Sequence, residues 1–254
     1  MFLKQDIYEQ QMKKLINRLN AFFKGLSVAL RPHIYLGWLR RPLQLFSNTL
    51  SLSRWAADNR KSATMNDFYA PLRDYQKRYA LYAHIVDTGR LKDAAFDYLE
   101  FGVSGGFSFR WWVAANTHPG SRFYGFDTFE GLPESWGTYN KGDMIASIPG
   151  IEDSRASFYK GLFQDTLPGF LKANTIDRPK LKIIHLDADL FSSTLFALTS
   201  LAPYLQKGDI LLFDEFNVPN HEFAAFKIFC DSYYIKTRLL AAVNNYYQVA
   251  LQVE

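Results

Sequence analysis

Cysteine is almost absent: Cys230 is the single one in 254 residues. An internal disulfide framework is therefore excluded, and a reducing compartment, the cytoplasm, is the expected location. Cys230 lies among Phe226, Ile228 and Phe229, the company of a buried, inert thiol. Long apolar runs are missing too. In the first sixty residues no uncharged stretch approaches the roughly 20 residues that a membrane span needs. None of suitable length precedes a small-residue cleavage site, so a secretory leader is not expected. Internal repeats and low-complexity tracts are also lacking. Acid is scarce at the start: residues 1–60 carry ten basic side chains against Asp6, Glu9 and Asp58, a net +7 within a total of +4. The remainder is then −3, so the basic character belongs to an N-terminal arm and gives no support for nucleic-acid binding by the main domain.

Hydrophobic residues make up 48% and aromatics 17%, enough for a full core, and the expected organisation is an arm and cap over 1–90 followed by one main domain over 91–254. In the arm, Ile7, Met12, Leu15, Ile16, Leu19 and Phe22–Phe23 recur near helical spacing with basic residues between them. Such an amphipathic segment can pack on the domain, pair subunits into a homo-oligomer, or lie weakly on an anionic membrane surface. Packing and pairing weigh more in this reading. Aromatic-rich 58–91 reads as a helical cap.

Residues 97–106 read D-Y-L-E-F-G-V-S-G-G: an apolar run of strand length, a glycine-rich turn, then a helix-length segment from Phe107. A strand entering a helix through glycines lets backbone approach a nucleotide-like ligand, with free N–H groups at the helix start. Glu100 is costly inside an apolar strand unless something there needs it. Strand-like runs follow at 122–127, 156–160, 181–187 and 209–214, alternating with helix-like segments at 166–173, 192–205 and 221–233. The alternation predicts a doubly wound, mostly parallel sheet. Asn244-Asn245 between two β-rich runs predicts a closing antiparallel hairpin.

Four of these strands end in acid: Glu100, Asp127, Asp187 with Asp189, and Asp214 with Glu215. Ligands bind outside such strand ends, and Asp127, 21 residues beyond Gly106, stands where an acid accepts ribose hydroxyls. Two carboxylates about 4 Å apart repel by roughly 4 kcal/mol at an effective dielectric near 20. No Lys or Arg adjoins either later motif in sequence, so protons or a divalent cation must neutralise the cluster. Oxygen-only ligands favour Mg²⁺, then Mn²⁺ or Ca²⁺. His185, on an apolar strand, is expected to be a core residue.

Assembled, E-F-G-V-S-G-G (100–106), F-D-T-F-E-G-L-P (126–133), G-L-F-Q-D-T-L-P (161–168), H-L-D-A-D-L-F (185–191) and D-E-F (214–216) resemble the class I S-adenosylmethionine-dependent methyltransferases. The likeness is greatest to the macrocin O-methyltransferase (TylF)-like branch, which methylates sugar hydroxyls of natural products. The resemblance implies a Rossmann-like sheet of seven strands ending in an antiparallel hairpin. It implies S-adenosylmethionine bound by Glu100, Gly102, Ser104, Gly105, Gly106 and Asp127, with Gln164 near the adenine. It also implies Mg²⁺ (or Mn²⁺) on Asp187, Asp214 and Glu215, and Asp189 as general base. Glu215 stands where the branch usually has Asp, and Phe191 where it often has Tyr. The acceptor implied is a small molecule or saccharide.

Two other readings remain at this point. One is a nicotinamide-dependent oxidoreductase, against which the G-V-S-G-G turn lacks the G-x-G-x-x-G spacing and no Tyr/Lys pair is placed for hydride transfer. The other is a non-catalytic binding or assembly protein acting through its basic arm.

Overall fold

A computed structural model describes residues 2–174, 176 and 179–254, without the side chains of residues 2–4, 6 and 7. Ile7, counted in the arm's pattern, thus lies outside the described side chains. The chain divides into two compact units, Met1–Ser47 and Asn48–Glu254. The first contains α1 (Phe2–Ala29), α2 (His33–Leu36), a 3-10 turn (Gly37–Leu39) and the start of α3 (Arg40–Asn59). No helix among the described residues is long and apolar enough to cross a membrane.

The second unit is a sheet with helices on both faces. Its strands are β1 (Met65–Asn66), β2 (Phe96–Phe101), β3 (Arg122–Asp127), β4 (Ala156–Lys160), β5 (Leu181–Leu186), β6 (Ile210–Phe213), β7 (Thr237–Val243) and β8 (Gln248–Val253). The helices are α4 (Lys77–Gly89), α5 (Phe107–Ala115), α6 (Phe163–Ala173), α7 (Phe191–Leu201) and α8 (Glu222–Tyr233). Strand order is β1-β7-β8-β6-β5-β2-β3-β4, with β8 antiparallel to both β6 and β7. Among the described residues the sheet thus has eight strands where seven were expected. The addition is the two-residue β1, parallel to β7, too short to leave a periodic signal. The hairpin closes as read from Asn244-Asn245, both at positive φ.

β2 and β6 are buried at every position, as in strands covered on both faces; β6 is wholly apolar, while β2 also buries Asp97 and Glu100. One core layer gathers Leu99, Phe101, Phe126, Leu186 and Phe213 against α6, α7 and α8. The other gathers Tyr98, Phe123, Ile183 and Leu212 against α4 and α5. Residues 48–90, grouped with the arm in the sequence reading, join the sheet. Trp55 packs on Phe216 at a centroid distance of 4.7 Å, and β1 and α4 both contact β7. Cys230 packs at the edge of the first layer, where burial, reinforced by Asp231, pushes its thiol up to about 12.

The chain runs β2-β3-β4 one way across the sheet and β5-β6 the other. The switch point lies between β2 and β5, where an open parallel sheet places its ligand crevice.

Candidate active site

A cavity of about 500 Å³ opens at the carboxyl ends of β2, β3, β5 and β6. Glu100, Gly102, Ser104, Gly105, Asp127, Gln164, Asp187, Asp189, Asp214 and Glu215 all line it. Gly106 does not. It is the N-cap of α5 at φ +74°, and a Cβ there would stand 2.5 Å from Pro149. Its glycine is required by conformation and by the seating of loop 128–155.

Gly102 also has a structural reason. Its φ is +94°, and a Cβ would lie 1.8 Å from the backbone oxygen of Asp187. The turn after β2 therefore rests directly on the chain leaving β5. Asp127 ties the same turn to β3: Oδ2 accepts the Ser104 N–H at 2.7 Å and Oδ1 accepts the Phe129 N–H at 2.8 Å. Its replacement by alanine frees two backbone donors as well as removing an acceptor from the cavity. On the cofactor site that the resemblance implies, Asp127→Ala is expected to weaken S-adenosylmethionine binding by about 1.5–3 kcal/mol, the range for a hydrogen bond to a charged group. Calorimetry checks this, and unchanged affinity would remove Asp127 from the site.

Glu100 is fully buried, and burial raises its carboxyl from 4.5 to about 8, partly opposed by the hydrogen bond from Tyr98. Tyr98 donates to Glu100 Oε2 at 2.5 Å and is 2.7 Å from His185 Nδ1. The hydroxyl has one proton, so Nδ1–H of His185 donates to it and Nε2, 3.3 Å from Tyr82, is the acceptor. Burial holds the His185 pKa down at about 3, neutral as this chain of bonds requires. With both ring nitrogens engaged, His185 is the core residue that the sequence suggested.

Because the folded state binds the Glu100 proton more tightly than the unfolded state, its contribution to stability is complete below pH 4.5. It is lost as pH rises towards 8. Glu100→Gln, which keeps an acceptor for Tyr98, is expected to raise Tm at pH 8 more than at pH 5. Thermal melts at the two pH values test this; equal shifts would show that Glu100 is already ionised in the fold.

The acids gather as expected but with a different grouping. Carboxylate oxygens of Asp187, Asp189 and Glu215 lie within 4.8 Å of one another, and Asp214 joins Asp187 and His185 in a second set. Asp189 has φ +57°, an uncommon backbone state for a residue other than glycine. Burial, then Asp214, raises Asp189 to about 6. Burial and neighbouring carboxylates push Asp187 and Glu215 well above the usual range.

Three groups in or beside this cluster escaped the sequence reading. The inference that no base relieves the acids is corrected by Arg78 of α4, whose guanidinium is 3.0 Å from Asp214 and 3.8 Å from Asp187. Burial opposes its charge, but Asp214 and Asp187 outweigh that and hold it protonated. Glu222, fully buried at the start of α8, accepts the Glu215 N–H at 2.9 Å. Tyr247 donates to Glu215 Oε1 at 3.1 Å, with the Arg73 guanidinium 3.4 Å above its ring. Oε2 of Glu215 and Oε1 of Glu222 are buried without a hydrogen-bond partner. An all-oxygen donor set with such unfilled valences fits a hard divalent cation.

The fold and this crevice are of the kind found in class I methyltransferases. Residues 99–216 match the family model described as a methyltransferase domain, so the resemblance read from the five motifs holds. A curated relative is the 8-demethyl-8-(2,3-dimethoxy-alpha-L-rhamnosyl)-tetracenomycin-C 4'-O-methyltransferase of Streptomyces olivaceus, 28% identical over 165 residues. The match covers 56% of this chain and 61% of that protein, so the chain spans about three fifths of that relative's length. Among solved structures, the calicheamicin methyltransferase CalS11 superposes with a TM-score of 0.56 at 20% identity, over 82% of this chain and 91% of its own. The apo structure of CalS11, described there as a TDP-rhamnose 3'-O-methyltransferase, gives 0.50 at 20% identity over 82% and 93%. The O-methyltransferase NovP gives 0.51 at 20% over 69% and 78%.

Proposed function

We propose that the protein transfers a methyl group from S-adenosylmethionine to a hydroxyl of a sugar, borne by a natural product, a nucleotide sugar or a polysaccharide, with Mg²⁺ or Mn²⁺ at its acidic cluster. One observation carries this reading: a single cavity at the switch point joins the glycine turn and Asp127 to Asp187, Asp189, Asp214 and Glu215. The rhamnose-bearing names of the Streptomyces relative and of CalS11 support a sugar acceptor. A cytoplasmic location belongs to the same reading, from the single cysteine.

The residues divide the work by position. Glu100, Ser104 and Gly105 line the side of the cavity nearest the turn and would hold the methionine portion. Asp127 would accept the ribose hydroxyls, and Gln164, which lines the cavity after β4, would meet the adenine edge. Asp187, which belongs to both groupings, would hold the divalent ion with Glu215 from one and Asp214 from the other. When bound, the sulfonium supplies an activated methyl group, and the ion supplies a Lewis acid that lowers the pKa of a hydroxyl. Asp189, raised to about 6, is still ionised at neutral pH and basic enough to take the acceptor's proton. Holding both reactants in one crevice contributes up to roughly 7–11 kcal/mol through proximity alone.

The test is a methyl-transfer screen over nucleotide sugars, polysaccharides and glycosylated aglycones, with EDTA and with Mg²⁺ restored, preceded by calorimetry with S-adenosylmethionine and with NAD. Binding of NAD in place of S-adenosylmethionine would turn the reading to an oxidoreductase. Binding of neither would leave a non-catalytic assembly role. Transfer at full rate in EDTA would remove the metal and return the acids to hydrogen bonding.

A further inference from the structure

Residues 10–47 contain Lys13, Lys14, Arg18, Lys24, Arg31, Arg40 and Arg41 and not one aspartate or glutamate. In α1, Met12, Leu15, Ile16, Leu19, Phe22, Phe23 and Leu26 recur at steps of three and one, which places them along one stripe of the helix. That stripe is uncovered: Phe22 is 64% and Phe23 59% exposed. The turn that follows repeats the pattern on a smaller scale. Between Arg31 and the Arg40–Arg41 pair stand Ile34, Tyr35, Leu36 and Trp38, with Tyr35 73% and Trp38 74% exposed.

An apolar stripe of this extent is a contact surface, and its charge selects the partner. If two copies paired stripe to stripe, each would bring seven cations from this segment to the other, with no acid in the same segment to meet them. Paired amphipathic helices normally set opposite charges beside the seam. A surface of fixed negative charge is the complement the segment lacks. Tyr and Trp beside arginines are the residues that settle at a membrane–water boundary, where the ring has an apolar body and a polar tip. Insertion of an apolar stripe together with several basic side chains supplies the two signals that stable, reversible attachment requires.

We infer that the Met1–Ser47 unit is a docking surface for a phospholipid bilayer carrying anionic headgroups, with the α1 stripe and the Tyr35–Trp38 turn at the acyl boundary and the lysines and arginines at the phosphates. This assignment is independent of the function proposed for the sheet's crevice, since none of the unit's described residues lines that cavity.

The experiment is co-sedimentation of the full chain with phosphatidylcholine vesicles, with and without phosphatidylglycerol, at low and high salt. Binding at least tenfold tighter to the anionic vesicles, weakening as salt rises, is the expected result. Arg40→Gln with Arg41→Gln should weaken it about thirtyfold. Phe22→Ser with Phe23→Ser should weaken it as well, at unchanged circular dichroism and melting behaviour of the chain. Equal affinity for both vesicle types, or none for either at low salt, overturns the assignment. So does ultracentrifugation showing a dimer that the Phe22/Phe23 variant loses while no vesicle binding is seen; the stripe would then belong to a second copy. The wild-type comparison of lipids and salt decides the matter even if a variant fails to fold.

Discussion

Asp189→Asn is expected to lower methyl transfer by about 10²–10⁴-fold, the usual worth of a general base, while the affinities for S-adenosylmethionine and for Mg²⁺ stay within about threefold of wild type. The amide keeps the size of the side chain and loses only its capacity to take a proton. Asp187→Asn should behave differently. Asp187 belongs to both acidic groupings and stands beside the backbone contact with Gly102. Its loss should remove metal binding and turnover together, because a small oxygen cage has few ligands to spare. Calorimetry with Mg²⁺ and with S-adenosylmethionine, alongside single-turnover rates, separates the two outcomes. An Asp189→Asn enzyme at full rate would take the base role away from that residue, and an Asp187→Asn enzyme that still binds Mg²⁺ would take Asp187 out of the cage.

The second large effect concerns Arg78. Its guanidinium is the cation that balances Asp214 and Asp187 within the protein itself, and most of its side chain is buried. Removing one partner of a buried ion pair typically costs about 3–5 kcal/mol. Arg78→Met should accordingly lower Tm in EDTA by on the order of 10 °C for a domain of this size. Mg²⁺ should return much of that loss, and stabilise the variant more than it stabilises wild type, since the acids then have no internal counter-charge. Melting curves of both proteins across a Mg²⁺ titration provide the measurement. A deficit of the same size at every Mg²⁺ concentration would show that Arg78 and the ion do not address the same carboxylates.

The sheet was legible because its strands carry their own signals. β6 is wholly apolar, β2 and β5 are apolar at four of their six positions, and each of the three is followed by an acid or a glycine. β3 and β4 begin and end at the residues read from sequence. Gathering the acids at one end required only the rule that parallel strands share a carboxyl edge. Their electrostatic balance was another matter. Arg78 lies 22 residues before Glu100 on a helix of mixed pattern, and nothing local marks it as the partner of Asp214. Glu222 resembles an ordinary acid in a helix first turn, and only the packing of α8 shows it buried against Glu215. Gly102 was read for the right chemistry but only half the reason. The carbonyl of Asp187 already forbids a side chain there, whatever is bound.

That contact between Gly102 and Asp187 has a mechanical meaning. The loop that would carry the donor and the strand end that would carry the acceptor's acids meet main chain to main chain, at a spacing no rotamer can alter. Donor and acceptor are thus gauged against each other by the framework, as two jaws fixed on one rail. Side chains of loop 128–155 and of the Arg73–Tyr75 segment, which rim the same crevice, remain free to vary in shape. On the proposed methyl transfer, a change of acceptor along that rim would leave unaltered the distance over which the methyl group travels.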